Sequence, residues 1–111
     1  MKLQGREWSD RLDIAFRTNK LEKCYCVQAR AFRAWGHDVG RRYIQRINII
    51  KTARGMGDLY KMPELKCHPL KGDRKGQYAI SLTGFHRLIF TLQGERLEVV
   101  MVEEVSKHYD D

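Results

Sequence analysis

YAISLTGFHRLIFTL, the stretch from Tyr78 to Leu92, alternates large apolar residues with small or polar ones on both sides of a Thr83-Gly84 turn. A period of two is typical of strands that bury one face, and the turn between two such runs predicts a β-hairpin. A second turn at Gln93-Gly94 leads into an apolar segment, Leu97–Val105, that predicts a third strand. The second half of the chain is therefore predicted to be an antiparallel meander.

The first half has mostly the helical period of 3.6 residues. After a short alternating strand at Leu12–Phe16, Asn19 and Glu22 have the spacing of a capping box, which predicts the start of a helix that ends at Gly36. Asp38 is a candidate cap for a second helix, which we expect to end at Gly55. The predicted buried stripes are Leu21, Tyr25, Ala29 and Phe32 in the first helix, and Val39, Tyr43, Ile47 and Ile50 in the second.

These elements predict one α+β domain. We expect an N-terminal strand and a helical hairpin packed on a curved antiparallel sheet of three to four strands. A chain of 111 residues has room for one such domain, predicted over residues 12–111. Residues 1–11 show no periodicity and are predicted to be a flexible extension.

The charge of the chain is unevenly distributed. The formal net charge is +7, and residues 17–54 contain ten Lys or Arg against two acids, whereas residues 95–111 contain six acids against two bases. A block of positive charge on a small domain points first to nucleic acid as the partner. The basic helices lack the continuous bulky apolar face of membrane-surface helices, so no membrane partner is expected.

Three cysteines and no apolar leader are typical of a reduced, cytoplasmic protein. Cys24 and Cys26 are two residues apart on a predicted helix, so they project to nearly opposite sides and are poorly placed to bind one zinc ion. We therefore expect no metal and no cofactor.

Three motifs occur in a characteristic order. LKCHPLKGDRKGQY (65–78) leads into GFHRLIF (84–90), and the chain finishes with EVSKHY (104–109). This succession resembles the RelE/ParE superfamily of toxins, and specifically its HigB or killer-protein branch. The resemblance covers about residues 12–110.

The resemblance implies a function, a fold and partners. It implies a metal-independent endoribonuclease that cuts mRNA in the ribosomal A site, as the toxin of a type II toxin–antitoxin system. The implied fold is microbial-ribonuclease-like, with helices on one side of the sheet and the RNA groove on the other. The implied partners are a cognate HigA-like antitoxin, the ribosome and mRNA.

RNA cleavage without a metal needs a base for the 2′-OH, a cation for the phosphorane and an acid for the leaving 5′ oxygen. The matching motif positions are His68 as the base and Arg87 at the scissile phosphate. His108 or Tyr109 would supply the acid or orient the nucleotide, and both assignments stay open. The predicted RNA-binding residues are Lys71, Arg74, Lys75, Arg41, Arg42 and Arg46.

Other interpretations remain open from the sequence. The same scaffold could act as a ParE-like gyrase poison that catalyses nothing, or as a non-enzymatic RNA-binding or ribosome-binding translation inhibitor. Single residues have simpler alternatives as well. His68 could be a turn residue beside Pro69, Arg87 could pair with a cross-strand acid such as Glu98, and Tyr78 could pack in the core.

Overall fold

The protein is described by a computed structural model that covers residues 10–107. The elements in chain order are β1 (Asp13–Phe16), α1 (Asn19–Cys26), α2 (Gln28–Trp35), α3 (His37–Thr52), α4 (Met56–Tyr60), β2 (His68–Pro69), β3 (Gln77–Ser81), β4 (His86–Gln93) and β5 (Val99–Lys107). Single 3-10 turns span Pro63–Leu65 and Gly72–Arg74. The α+β prediction is confirmed.

One sheet contains five strands in the order β1-β5-β4-β3-β2. The predicted meander is confirmed, because β3, β4 and β5 are sequential and antiparallel. The predicted number of strands is too low. The two-residue β2 pairs with the outer edge of β3, and β1 joins the opposite edge of the sheet parallel to β5. A parallel neighbour requires a long connection, which the intervening helices provide.

The predicted first helix is two helices. Thr18, rather than Asn19, is the N-cap, and its Oγ1 accepts a hydrogen bond from the Leu21 N–H at 3.2 Å. The helix stops at Val27, whose backbone is extended (φ −124°, ψ 104°). Chain direction changes there, and Ala29, predicted to be buried, is exposed. A β-branched residue is a weak helix former, but the sequence pattern alone did not reveal the break.

The helix α3 confirms the predicted buried stripe but not the predicted cap, because it begins at His37 after Gly36, and Asp38 lies within its first turn without a capping hydrogen bond. Its four predicted stripe residues are all buried, and Gly36 precedes it with φ +86°. Gly40 lies against α2, where an added Cβ would be 2.9 Å from the carbonyl carbon of Ala31. This small residue lets the two helices of the hairpin approach closely. The helix ends at Thr52, three residues before the predicted stop at Gly55.

A single core joins the helices to one face of the sheet. It combines the α3 stripe with Leu82, which follows β3, and with apolar side chains from the three meander strands, namely Ile80, Leu88, Phe90, Val100 and Val102. Tyr78 stacks on Phe90 with ring centroids 5.5 Å apart, which supports the packing interpretation of this tyrosine. The helices therefore cover one face of the sheet and leave the polar positions of β3 and β4 on the other.

Residues 1–9 and 108–111 lie outside the described part of the chain. Most of the predicted N-terminal extension falls there, as do His108 and Tyr109. Within residues 10–107, no helix combines the length and the apolar character needed to cross a bilayer.

Candidate RNA-binding cleft

An open cleft of about 640 Å³ lies where α3 passes the end of β3. We call it the arginine cleft. Its lining residues are Asp38, Arg41, Arg42, Arg46, Glu64, Lys66, His68, Ser81, Leu82, Thr83, Gly84 and Arg87. It therefore combines residues from α3, from the segment before β2 and from the β3–β4 hairpin.

The strand register brings His68 and Arg87 to the same face of the sheet. His68 is opposite Ala79 on one side of β3, and Arg87 is opposite Ser81 on the other. Residues 79 and 81 are two apart, so their side chains point to one face, and directly opposed residues share that face. Two residues that are 19 positions apart in the sequence thus both line the cleft.

The hydrogen bonding of His68 defines its neutral tautomer. Its Nδ1 lies 2.8 Å from the carbonyl oxygen of Lys66. A carbonyl can only accept, so Nδ1 carries the hydrogen and Nε2 of the neutral ring keeps its lone pair. The side chain is exposed, which leaves Nε2 accessible to a ligand in the cleft.

The helix α3 supplies three arginines to the cleft, and they differ in their surroundings. Arg41 is exposed and lies 3.5 Å from the carboxylate of Asp38. Arg42 is also exposed and donates one hydrogen bond, of 3.2 Å, to the carbonyl of Leu82. Both keep donors for a ligand, since a guanidinium has five N–H groups.

Arg46 is buried, with 5% of its surface exposed. It donates to the carbonyl of Ser81 at 3.1 Å, to the carbonyl of Glu64 at 3.4 Å and to the side chain of Gln45 at 3.3 Å. Burial, and then the nearby charge of Arg42, lower its pKa. These bonds join α3 to the end of β3 and to the turn before His68. Arg46, which was predicted to bind RNA, therefore also has a structural role, since it holds these segments together.

Positive charge dominates the cleft. Five of its lining residues are Lys or Arg, and two are acids. The sequence prediction missed Lys66, although it lies in the first motif, and Glu64, which lies just before it. Both reach the cleft only through the turn that precedes β2. A concave, cation-rich surface with an accessible imidazole is chemically suited to bind a phosphodiester and transfer its protons.

The other predicted site residues lie elsewhere. Lys71, Arg74 and Lys75 are not among the residues that line the cleft. The guanidinium of Arg74 forms an ion pair with Glu104 and a 2.8 Å hydrogen bond to Gln77. Lys71 and Lys75 are exposed on the neighbouring loop. The roles of His108 and Tyr109 fall outside the described residues.

The alternative pairing of Arg87 with Glu98 is wrong. The register of β4 and β5 places Ser106 opposite Arg87, at one end of the pair. Glu98 precedes β5 at the other end, where its carboxylate accepts a 3.0 Å hydrogen bond from the backbone N–H of Arg96.

Cys67 lies beside His68 and is partly buried. Burial raises its pKa to about 11. Because alkylation requires the thiolate, we expect Cys26, which is exposed, to react with iodoacetamide before Cys67 at pH 8, and the rate at Cys67 to rise roughly tenfold per pH unit below 11. Mass spectrometry of timed samples measures both rates, and equal rates at pH 8 would contradict the assignment.

Among residues 10–107, no three His, Cys, Asp or Glu side chains are grouped so that they could hold a metal ion. One further histidine and two aspartates occur in residues 108–111, outside the described part of the chain.

Comparisons with known proteins identify the fold. No family model matches the sequence, and no curated protein matches it significantly. Solved structures do match. A YoeB/ParE toxin from Agrobacterium tumefaciens is 18% identical with a TM-score of 0.53, over 88% of this chain and 100% of that one.

Two further structures agree with this match. YafQ from E. coli is 18% identical over 87% of this chain and 93% of its own, with a TM-score of 0.54. A heterotetrameric YoeB–YefM toxin–antitoxin complex from Staphylococcus aureus gives 19% identity, coverage of 89% and 99%, and a TM-score of 0.50. The chain therefore has the same fold as these YoeB/ParE and YafQ toxin structures.

Proposed function

We propose that this chain is the toxin of a type II toxin–antitoxin pair and a metal-independent endoribonuclease that cuts mRNA on the ribosome. The observation that carries the proposal is the arginine cleft, in which an accessible imidazole and Arg87 lie on one face of the sheet beside further cations. Fold alone does not define function, so the argument rests on this constellation.

His68 is the proposed base. Its protonated Nδ1 is held by the Lys66 carbonyl, so Nε2 can take the proton of a ribose 2′-OH. The 2′ oxygen then forms a bond to phosphorus, and the bond from phosphorus to the 5′ oxygen breaks. The products are a 2′,3′-cyclic phosphate and a 5′-OH. DNA has no 2′-OH and is not a substrate for this reaction.

Arg87 is the proposed electrostatic stabiliser of the phosphorane. A guanidinium stays charged at all relevant pH values and presents a planar set of donors that fits phosphate oxygens. Arg41 and Arg42, on the other wall of the cleft, are placed to bind flanking phosphates. Their contribution is to position the RNA, since phosphate contacts carry no sequence information.

The acid that protonates the leaving 5′ oxygen is proposed to be His108 or Tyr109. The described part of β5 ends at Lys107, and Ser106 is opposite Arg87. The two candidates follow directly in the sequence, and their assignment still depends on the resemblance of the C-terminal motif. Comparing the cleavage rates of His108→Gln and Tyr109→Phe decides between them. The variant that has lost the acid should be the slower one, because the 5′ oxygen is a poor leaving group unless it is protonated.

The proposed partners are an antitoxin, which we expect to be HigA-like, and the ribosome with its mRNA. The net charge of +7 suits both an acidic protein surface and rRNA phosphates. Among the proteins of similar fold, the YoeB of Staphylococcus aureus is found in a complex with YefM.

The experiment is to incubate the purified protein with programmed ribosomes in excess chelator and map RNA ends at nucleotide resolution. We expect new 5′-OH ends within the mRNA, and none when its riboses are 2′-O-methylated. Translation blocked with intact mRNA would favour a non-enzymatic inhibitor. Accumulation of gyrase-linked DNA breaks, with intact mRNA, would favour a gyrase poison instead.

A further inference from the structure

A second cationic depression lies between α1 and α2, on a different part of the molecule. We call it the helix groove. It has a volume of about 300 Å³ and is lined by Lys20, Cys24, Arg30, Arg33 and Ala34. It shares no lining residue with the arginine cleft and contains none of the residues assigned above to RNA cleavage.

Within residues 10–107, the cations of the helix groove lack the carboxylate partners that four other arginines have. Ion pairs are formed by Arg17 with Glu103, Arg41 with Asp38, Arg54 with Asp10 and Arg74 with Glu104. No carboxylate within residues 10–107 pairs with Lys20, Arg30 or Arg33. Three like charges around one depression repel each other, and an anion that enters it relieves that repulsion.

The buried thiol of Cys24, which lines the groove, gives independent evidence that Lys20 and Arg30 lie close together. Burial raises the pKa of Cys24, and the charges of Lys20 and Arg30 both oppose that rise. The two cations belong to different helices, so the extended residue at Val27 is what brings them together. A single continuous helix would not form this groove.

We infer that the helix groove is a second phosphate-binding surface, which holds the backbone of the same RNA outside the segment that occupies the arginine cleft. The inference rests on the proposed function for the identity of the RNA. RNA is favoured over an acidic protein segment because its phosphates recur at regular spacing, so a chain held in one cationic site presents further phosphates to another. The groove adds affinity without base specificity.

The test uses 2′-O-methyl RNA, which has no 2′-OH and is not cut, so that binding is measured apart from catalysis. Two lengths separate the sites: a tetranucleotide, which is expected to occupy one site, and a single strand of about 30 nucleotides, which exceeds the site sizes of about 4–16 nucleotides typical of one binding domain and can extend to both. The variant is Arg30→Gln/Arg33→Gln. Its matched control is Lys61→Gln/Arg96→Gln, which removes the same charge from exposed positions outside both surfaces.

The expected result is a weaker salt dependence for the long strand. Each lost phosphate contact lowers the slope of log Kd against log salt by about 0.7 for single strands, so two contacts lower it by about 1.4. The tetranucleotide should bind the variant and the wild type alike, and the control should keep the wild-type slope.

An unchanged slope for the long strand in a folded variant overturns the inference. So does equal weakening in variant and control, since only net charge would then matter. Loss of binding to poly-L-glutamate with unchanged RNA binding would assign the groove to an acidic protein and would also overturn it. Because no cleavage is measured, the inference and the proposed nuclease activity stand or fall separately.

Discussion

Replacing His68 by alanine is expected to lower the rate of RNA cleavage by about 10²- to 10⁴-fold, the usual contribution of a positioned base. The side chain is exposed and makes one hydrogen bond, to the carbonyl of Lys66, so the fold should tolerate its loss. The measurement is single-turnover cleavage of an mRNA on programmed ribosomes, with the melting temperature recorded for each variant.

The matched control is His37→Ala. His37 is also an exposed histidine, but it lies at the start of α3, stacks on Phe32 and does not line the cleft. We expect it to cleave at the wild-type rate. Full activity of His68→Ala with an unchanged melting temperature would exclude His68 as the base. Loss of activity in both variants would point to a general effect of removing imidazoles.

The second large effect concerns stability. Replacing Arg46 by methionine keeps most of the side-chain volume but removes the donors to the carbonyls of Ser81 and Glu64. A hydrogen bond from a charged donor contributes about 1.5–3 kcal/mol, and relief from burying a charge offsets part of that loss. We expect the free energy of unfolding to fall by about 2 kcal/mol, measured by urea denaturation.

Arg42→Met is the matched control for stability. It removes an arginine from the same helix, but one that is exposed and that makes a single hydrogen bond within residues 10–107, to the carbonyl of Leu82. We expect a loss of no more than about 1 kcal/mol. If Arg46→Met were as stable as the wild type, the bonds of Arg46 would not hold the end of β3 and the turn before His68 in place.

Much of the fold could be predicted from local pattern. The alternation on both sides of Thr83-Gly84 predicted the hairpin, and the stripe in α3 predicted which of its residues are buried. Both patterns work because one face of each element packs in the core and the other does not. The break at Val27 escaped prediction because the apolar spacing continues across it, and only packing against α3 and the sheet decides where the chain bends.

The candidate site was predicted in part. His68, Arg87 and the arginines of α3 were identified from motif and charge, and the structure places them around one cleft. Lys66 and Glu64 were missed, and Lys71, Arg74 and Lys75 were placed in a group that the cleft does not include. The sequence shows that several basic residues are neighbours in this loop. It does not show where each side chain points, because that depends on the conformation of the turn.

The sequence by itself determined the class of fold, the strand meander and the types of residue available for chemistry, because these follow from periodicity and composition. The tertiary structure alone decided that β1 runs parallel to β5 and that Arg46 is buried. It also decided that His68 and Arg87 share a face, on either side of β3. These features depend on contacts between segments far apart in the chain, and the pattern of one segment by itself does not say which other segment it will pair with or pack against.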